Sequence, residues 1–281
     1  GSSQTRRLPR CQQKQSHVCS TWPRKHQFRP TSCETQTVKI LLDVGAHYGE
    51  SLDVALDPRW GFQRIVCFEP SSECAALIRG FRDPRIEVVE AGLSAESRTA
   101  ELFGSGLLGG SVYADKVQPS AGGENESIQL VRASTWLIEN TRPDDTIFLK
   151  LNCEGSECDV LDDIFQSDID RHIESVYVDF DVRKVPSQAH REVATRELLI
   201  TKQVRFWTPE DLGESAERAI APWLDQSCER TENPSGRLRY RLRLYRPPYI
   251  WARGLSRTVL PQALFTRAAS RWGLQGSKIE R

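Results

Sequence analysis

The chain has 281 residues, 38% apolar and 27% charged, with 38 Lys/Arg against 38 Asp/Glu and a net charge of zero. At about 150 residues per domain, that length allows one large domain or two small ones and buries a sizeable core. No stretch approaches the roughly 18–20 apolar residues of a membrane-crossing helix, no early apolar run reads as a secretory signal, and the 18 Gly and 15 Pro carry no collagen-like period.

Residues 1–34 are rich in Gln, Ser, Arg and Pro and carry seven Lys/Arg against the single acid Glu34, so 1–35 reads as a basic disordered tail or linker. The opening Gly1-Ser2-Ser3 and the absence of Met point to a start altered by processing, and the setting expected is cytoplasmic. Residues 36–248 have the character of one folded domain. Val38–Val44 is a short apolar run ending at a glycine, a buried strand. Glu50–Leu56 reads as a helix, Arg64–Phe68 as a second buried strand, Ser72–Phe81 as a helix and Ile86–Val89 as a third strand. The pattern pauses over Gly104–Glu126, where six glycines predict a long mobile loop, a candidate lid or acceptor wall. It resumes with a strand at Thr146–Leu151, a helix at Cys158–Phe165, a strand at Val176–Phe180 and a helix at Gln188–Leu199. Arg237–Tyr245 alternates Arg with Leu or Tyr, the period of a half-exposed antiparallel strand at a sheet edge. Residues 249–281 read as a basic C-terminal tail. Strands alternating with helices imply an α/β fold with a doubly wound, mostly parallel sheet and an antiparallel edge strand.

Charge is unevenly placed. Residues 236–281 hold eleven Lys/Arg against Glu280, so 35–235 hold 20 basic and 36 acidic residues, a balance of −16. An acidic middle argues against nucleic acid in the core, while the basic ends suit an acidic surface. The eight cysteines form no CxxC pair and no zinc-site spacing, and Cys67, inside an apolar run, reads as a buried free thiol.

Three segments carry chemistry. Asp43-Val44-Gly45-Ala46-His47-Tyr48-Gly49 follows a buried strand and precedes a helix, where glycines let the backbone turn tightly against a ligand. Glu69 ends the next strand, where a carboxylate can accept both hydroxyls of a ribose. Leu149-Lys150-Leu151-Asn152-Cys153-Glu154-Gly155-Ser156-Glu157 again links strand to helix, with Ser156 a candidate N-cap and Asp159 completing an imperfect capping box. This spacing puts Lys150, Asn152 and Glu154 at the sheet's carboxyl edge, facing the crevice of Gly45 and Glu69. No Gly-x-Gly-x-x-Gly is present, and a carboxylate at the mouth of the loop (Asp43) would repel a pyrophosphate. A nucleoside with positive charge and no phosphate, such as S-adenosyl-L-methionine, suits it better.

These segments resemble the FkbM-type S-adenosylmethionine-dependent methyltransferases, through Asp43-Val44-Gly45-Ala46-His47-Tyr48-Gly49, Phe68-Glu69-Pro70 and Leu149–Glu157, with Ala91-Gly92-Leu93-Ser94 similar to the family's stretch after the third strand. The resemblance spans about residues 38–205 and implies a Rossmann-like class I methyltransferase. It also implies that Asp43, Gly45 and Gly49 meet the methionine end of the cofactor, Glu69 the ribose, and Gly92, Leu93 and Ser94 the adenine, with Ala46, His47 and Asn152 also among the cofactor-binding residues. Asn152 stands where the family has Asp, and Leu137 where it has another Asp.

The expected reaction is methylation of a hydroxyl on a sugar or other small metabolite. Glu154 is the first candidate base, Asp179 the second, with Lys150 beside them and His47 and Asp181 weaker candidates. Oxygen ligands at these strand ends suit magnesium, but no spacing requires a metal. The alternatives are a non-catalytic methyltransferase-fold binding protein, for which Asn152 speaks, and a nucleotide-dependent oxidoreductase, against which the missing third glycine speaks.

Overall fold

The computed structural model describes residues 37–105, 109–117, 124–167, 169, 171–216, 218–231, 237–242 and 245–246. The tails expected at 1–35 and 249–281 lie outside them. In chain order the described elements are β1 (Lys39–Val44), α1 (Leu52–Ala55), β2 (Arg64–Phe68), α2 (Ser72–Ile78), β3 (Ile86–Val89), β4 (Gly92–Ser94), β5 (Arg98–Ser105), β6 (Glu124–Arg132), α3 (Ala133–Asn140), β7 (Thr146–Leu151), α4 (Glu157–Gln166), β8 (His172–Val178), α5 (Arg191–Thr201), β9 (Phe206–Trp207), α6 (Pro209–Leu212), α7 (Ile220–Ser227) and α8 (Arg237–Arg241).

The main sheet has the order β3-β2-β1-β7-β8-β9, and every described pairing in it is parallel. Its central strands are apolar on both faces because helices cover both. Ile40, Leu42, Val44, Leu149 and Leu151 pack on one face with Leu137 of α3, Leu161 of α4 and Leu199 of α5. Leu41, Ile65 and Phe148 pack on the other with Leu52 of α1, Ile78 of α2 and Trp223 of α7. The sheet is therefore doubly wound. The chain runs outward from β1 through β2 to β3, then returns to β7 on the other side of β1. That reversal opens a crevice at the carboxyl ends of β1 and β7, the place where such sheets bind ligands.

A second, three-stranded sheet has the order β4-β6-β5, with β4 parallel and β5 antiparallel to β6. Its apolar side, Leu102, Ile128 and Leu130, turns toward the same crevice.

The structure corrects several expectations. Arg237–Tyr245 is not an edge strand: Arg237–Arg241 is helical, and the segment is fixed by Tyr240 stacking on Tyr245 and by Arg246 pairing with Asp53. The antiparallel pairing of the fold lies in the small sheet instead. Gly104–Glu126 is not one loop, since β5 reaches Ser105 and β6 begins at Glu124; between them, segment 109–117 is bridged to β5 through Phe103 and Ser111. Ser156 does precede α4, but its side chain makes no capping bond. Glu157 does that work, accepting the backbone N–H groups of Cys153 and Gly155 at 3.1 and 3.0 Å because positive φ at Glu154 and Gly155 turns the loop back onto it.

Candidate functional site

β1 ends at Asp43 and Val44, and the loop beyond it is shaped by close approach. An added Cβ on Gly45 would lie 1.9 Å from the Asn152 carbonyl oxygen, and Gly45 has φ +75°, so only glycine fits where the β1 and β7 loops meet. The N–H groups of Gly45 and Ala46 both donate to the Phe68 carbonyl at the end of β2, which binds the glycine loop to the second strand as well.

Glu69 stands at that junction. It is buried, and its two oxygens accept the backbone N–H groups of His47 at 2.7 Å and Ser71 at 2.9 Å. Burial raises its pKa despite those bonds. Each carboxylate oxygen keeps a further lone pair for a ligand.

Beneath the loop lies an ion pair. Parallel register places Asp43 opposite Lys150, so both side chains emerge on the same face. The Lys150 ammonium sits 2.9 Å from the Asp43 carboxylate and donates to the Gly45 carbonyl at 2.8 Å. Burial opposes its charge, but the neighbouring Asp43 holds Lys150 above the ordinary lysine value. Asp43 itself is fully buried and does not border the crevice, so it is not the carboxylate at the mouth that the sequence suggested.

The crevice has a volume of about 240 Å³. Of the residues singled out from sequence, Gly45, Ala46, His47, Glu69, Gly92, Leu93, Lys150, Asn152 and Glu154 line it together. Asp43, Gly49, Ser94 and Asp179 do not. Gly49 instead packs under the loop, where an added Cβ would press on Phe81 and Leu52. Sequence reasoning missed Glu50 and Ser71 on the rim, and the apolar wall of Leu102, Ile128 and Leu130, whose alternating strands carry only a weak period-2 signal.

Two non-glycine residues of the crevice hold the left-handed conformation, His47 at φ +47° and Glu154 at φ +58°, and such strain concentrates at functional sites. His47 pairs through Nδ1 with Glu50 at 2.9 Å. Burial opposes the Glu50 charge, but the hydrogen bond and charge of His47, a backbone hydrogen bond and the nearby Lys150 together outweigh it and lower the pKa. His47 Nε2 and Asn152 Oδ1 are buried without a hydrogen-bond partner among the described residues.

Glu154 forms the opposite wall. Burial and the adjoining Asp181 push its carboxyl up to about 7. Burial opposes the Asp181 charge too, yet hydrogen bonds from Glu154 and Lys184 hold its pKa below the ordinary value. Asp179, raised by burial and by Asp181, stands behind this pair. Lys116 inserts its ammonium between Glu154, which it contacts directly, and Asp181 at 3.6 Å. Among the described residues, no group of three or more His, Cys, Asp or Glu gathers as a metal site, and no helix is long and apolar enough to cross a membrane.

No protein-family model matches the chain, and no curated protein matches it. Among solved structures it is similar to the crystal structure of Methyltransferase FkbM from Methylobacillus flagellatus KT, at 20% identity and a TM-score of 0.29. The match covers 46% of this chain and 30% of that one, so this chain spans less than a third of that protein's length.

Proposed function

We propose that the chain is an S-adenosyl-L-methionine-dependent methyltransferase that methylates a hydroxyl of a sugar or other small metabolite. The observation that carries this reading is one crevice bordered by Gly45 of the first loop, Glu69 at the end of the second strand and Glu154 beyond the seventh.

The residues present fit the cofactor. Glu50 and Glu69 line the crevice with no lysine paired to them among the described residues, while Glu154 is paired with Lys116 and Lys150 with Asp43; the balance favours a cationic ligand and disfavours a pyrophosphate. Glu69 retains lone pairs for ribose hydroxyls. Leu93, Leu102, Ile128 and Leu130 offer a flat apolar wall for a purine. The unpartnered His47 Nε2 and Asn152 Oδ1 mark the end where a polar ligand portion would satisfy them.

When bound, the cofactor supplies a methyl group that passes to the acceptor oxygen, its bond to sulfur breaking with the electron pair left on sulfur. Glu154 takes the acceptor's proton as its carboxylate becomes a carboxylic acid, a task suited to a group titrating near neutral pH. Lys150, anchored by Asp43 and the Gly45 carbonyl, holds the glycine loop in place, and the Asp179 backbone carbonyl accepts the Asp181 N–H at 2.9 Å. The bordering apolar residues exclude water that would compete for the methyl group.

Calorimetry with S-adenosyl-L-methionine on the wild type and on Glu69→Ala tests the reading. Loss of a charged hydrogen-bond acceptor predicts about 10- to 100-fold weaker binding in the variant. Equal affinities refute the ribose assignment, and NADH binding in place of S-adenosyl-L-methionine refutes the class. Tight cofactor binding without transfer to any member of a hydroxylated acceptor panel would identify a binding protein instead.

A further inference from the structure

Lys116 is the least expected residue near the crevice. Its side chain is 1% exposed, yet it belongs to the short segment 109–117 between β5 and β6, away from every regular element. Burying an ammonium is costly unless the gain lies elsewhere, and a buried ion pair is weak evidence for stability. The segment does not need Lys116 as a fastener. Ser111 pairs with Phe103 by two backbone bonds and donates through Oγ to the Glu154 carbonyl, Tyr113 bonds to Asp159, Val117 N–H donates to the Lys184 carbonyl, and Asp115 accepts from Ser187.

The charged groups around Glu154 are few. Lys116 reaches it from the 109–117 segment, Asp181 and Lys184 from the turn after β8, and Glu157 and Cys153 from its own connection. Lys184 pairs with Asp181 at 2.6 Å and is half exposed, so it serves Asp181 from the outside. Among the described residues, Lys116 alone bridges the two acids from the inside, where it also donates to the Gly109 carbonyl at 3.3 Å.

We propose that Lys116 is a positioning residue for methyl transfer: its ammonium bridges Glu154 and Asp181 and holds Glu154 at the crevice wall as proton acceptor. This rests on the methyltransferase reading and names the group that prepares its base. Opposite charge beside a carboxyl favours the ionised form. Lys116 therefore keeps Glu154 available as a base against the burial and the Asp181 charge that favour its protonated form.

The test is carboxyl-carbon NMR on full-length chain labelled at glutamate, with the Glu154 resonance assigned through Glu154→Gln, alongside S-adenosyl-L-methionine calorimetry. In Lys116→Met the Glu154 titration should move up by about 1–3 pH units, and Lys116→Arg should bring it back. Cofactor affinity should stay within about threefold of wild type, because Lys116 does not border the cofactor's wall. Should Lys116→Met fail to fold, Lys116→Gln, which keeps a donor without the charge, carries the same comparison. Cofactor binding with an unmoved Glu154 titration overturns the proposal alone. No cofactor binding by the wild type overturns the methyltransferase reading and the proposal with it.

Discussion

Gly45→Ala is the sharpest perturbation of the crevice. The added methyl would lie 1.9 Å from the Asn152 carbonyl oxygen and 2.7 Å from its carbon, where ordinary contact begins near 3.4 Å. The β1 and β7 loops would have to part by about 1.5 Å, the difference between those distances. Neither atom can yield alone, since the obstruction is backbone rather than a flexible side chain. Such a separation pulls on the Asn152 N–H bond to the Val44 carbonyl, 3.1 Å, and on the Gly45 N–H bond to the Phe68 carbonyl, 3.0 Å. Each net hydrogen bond contributes about 0.5–1.5 kcal/mol, and holding alanine at a left-handed φ costs about 1–2 kcal/mol more. The expected loss is about 2–5 kcal/mol, measured as the shift in urea midpoint at constant m-value. Calorimetry on the surviving folded protein should show cofactor binding weakened as well, because Glu69 takes its N–H partner from His47, two residues along. A variant within about 0.5 kcal/mol of wild type would refute the close packing of the two loops on which the site depends.

Lys150→Met leaves Asp43 buried beside no cation and should cost about 3–5 kcal/mol; adding Asp43→Leu should recover most of that, and a double variant no better than the single would show that the two charges are uncoupled. The pH dependence has a definite sign. The folded pKa of Glu154, about 7, lies above the ordinary glutamate value of 4.5, so the stability it contributes is full below about pH 4.5 and is lost as pH rises through about 7. Glu157, also raised to about 7 by burial, acts in the same direction, whereas Asp181 is lowered and acts only as pH falls below the ordinary aspartate value of 3.8. The urea midpoint should therefore drop less across that window in Glu154→Gln than in the wild type, and equal drops in the two proteins would contradict the raised pKa of Glu154.

The strands β1, β2 and β7 were legible because a central parallel strand announces itself as a short apolar run closed by a turn signal, such as Gly45 after β1 and Pro70 after β2. β5 and β6 were not, since Arg98–Ser105 and Glu124–Arg132 keep one face wet and are separated by a glycine-rich stretch that looks like loop. Arg237–Tyr245 misled for a different reason. Five helical residues show too few turns for their period to declare itself, and what settles the segment is distant: Tyr240 and Tyr245 stack at 5.6 Å, and Tyr240 donates to the Asp53 carbonyl at 2.8 Å. At the site, Glu69 and Glu154 could be located from strand ends alone. The burial of Asp43 could not, because it depends on which strand lies beside β1, and β7 is about a hundred residues away. Nothing near Lys116 in the sequence signals that its ammonium is buried.

Asn152 is best understood through that same pairing. Beneath the crevice lies one buried carboxylate, Asp43, balanced by the Lys150 ammonium that borders it. Lys150 also holds the Gly45 carbonyl, so it has little left for a second acid. A carboxylate at 152 would place another negative charge where Asn152 Oδ1 is now buried without a partner among the described residues. Desolvation would then drive one of the two acids to take up a proton. A neutral amide avoids that conflict while still offering both a donor and an acceptor to a ligand. Under the proposed function, the neutral amide at 152 leaves proton transfer to Glu154, two residues farther along the same loop, where Lys116 and Asp181 adjoin its carboxyl.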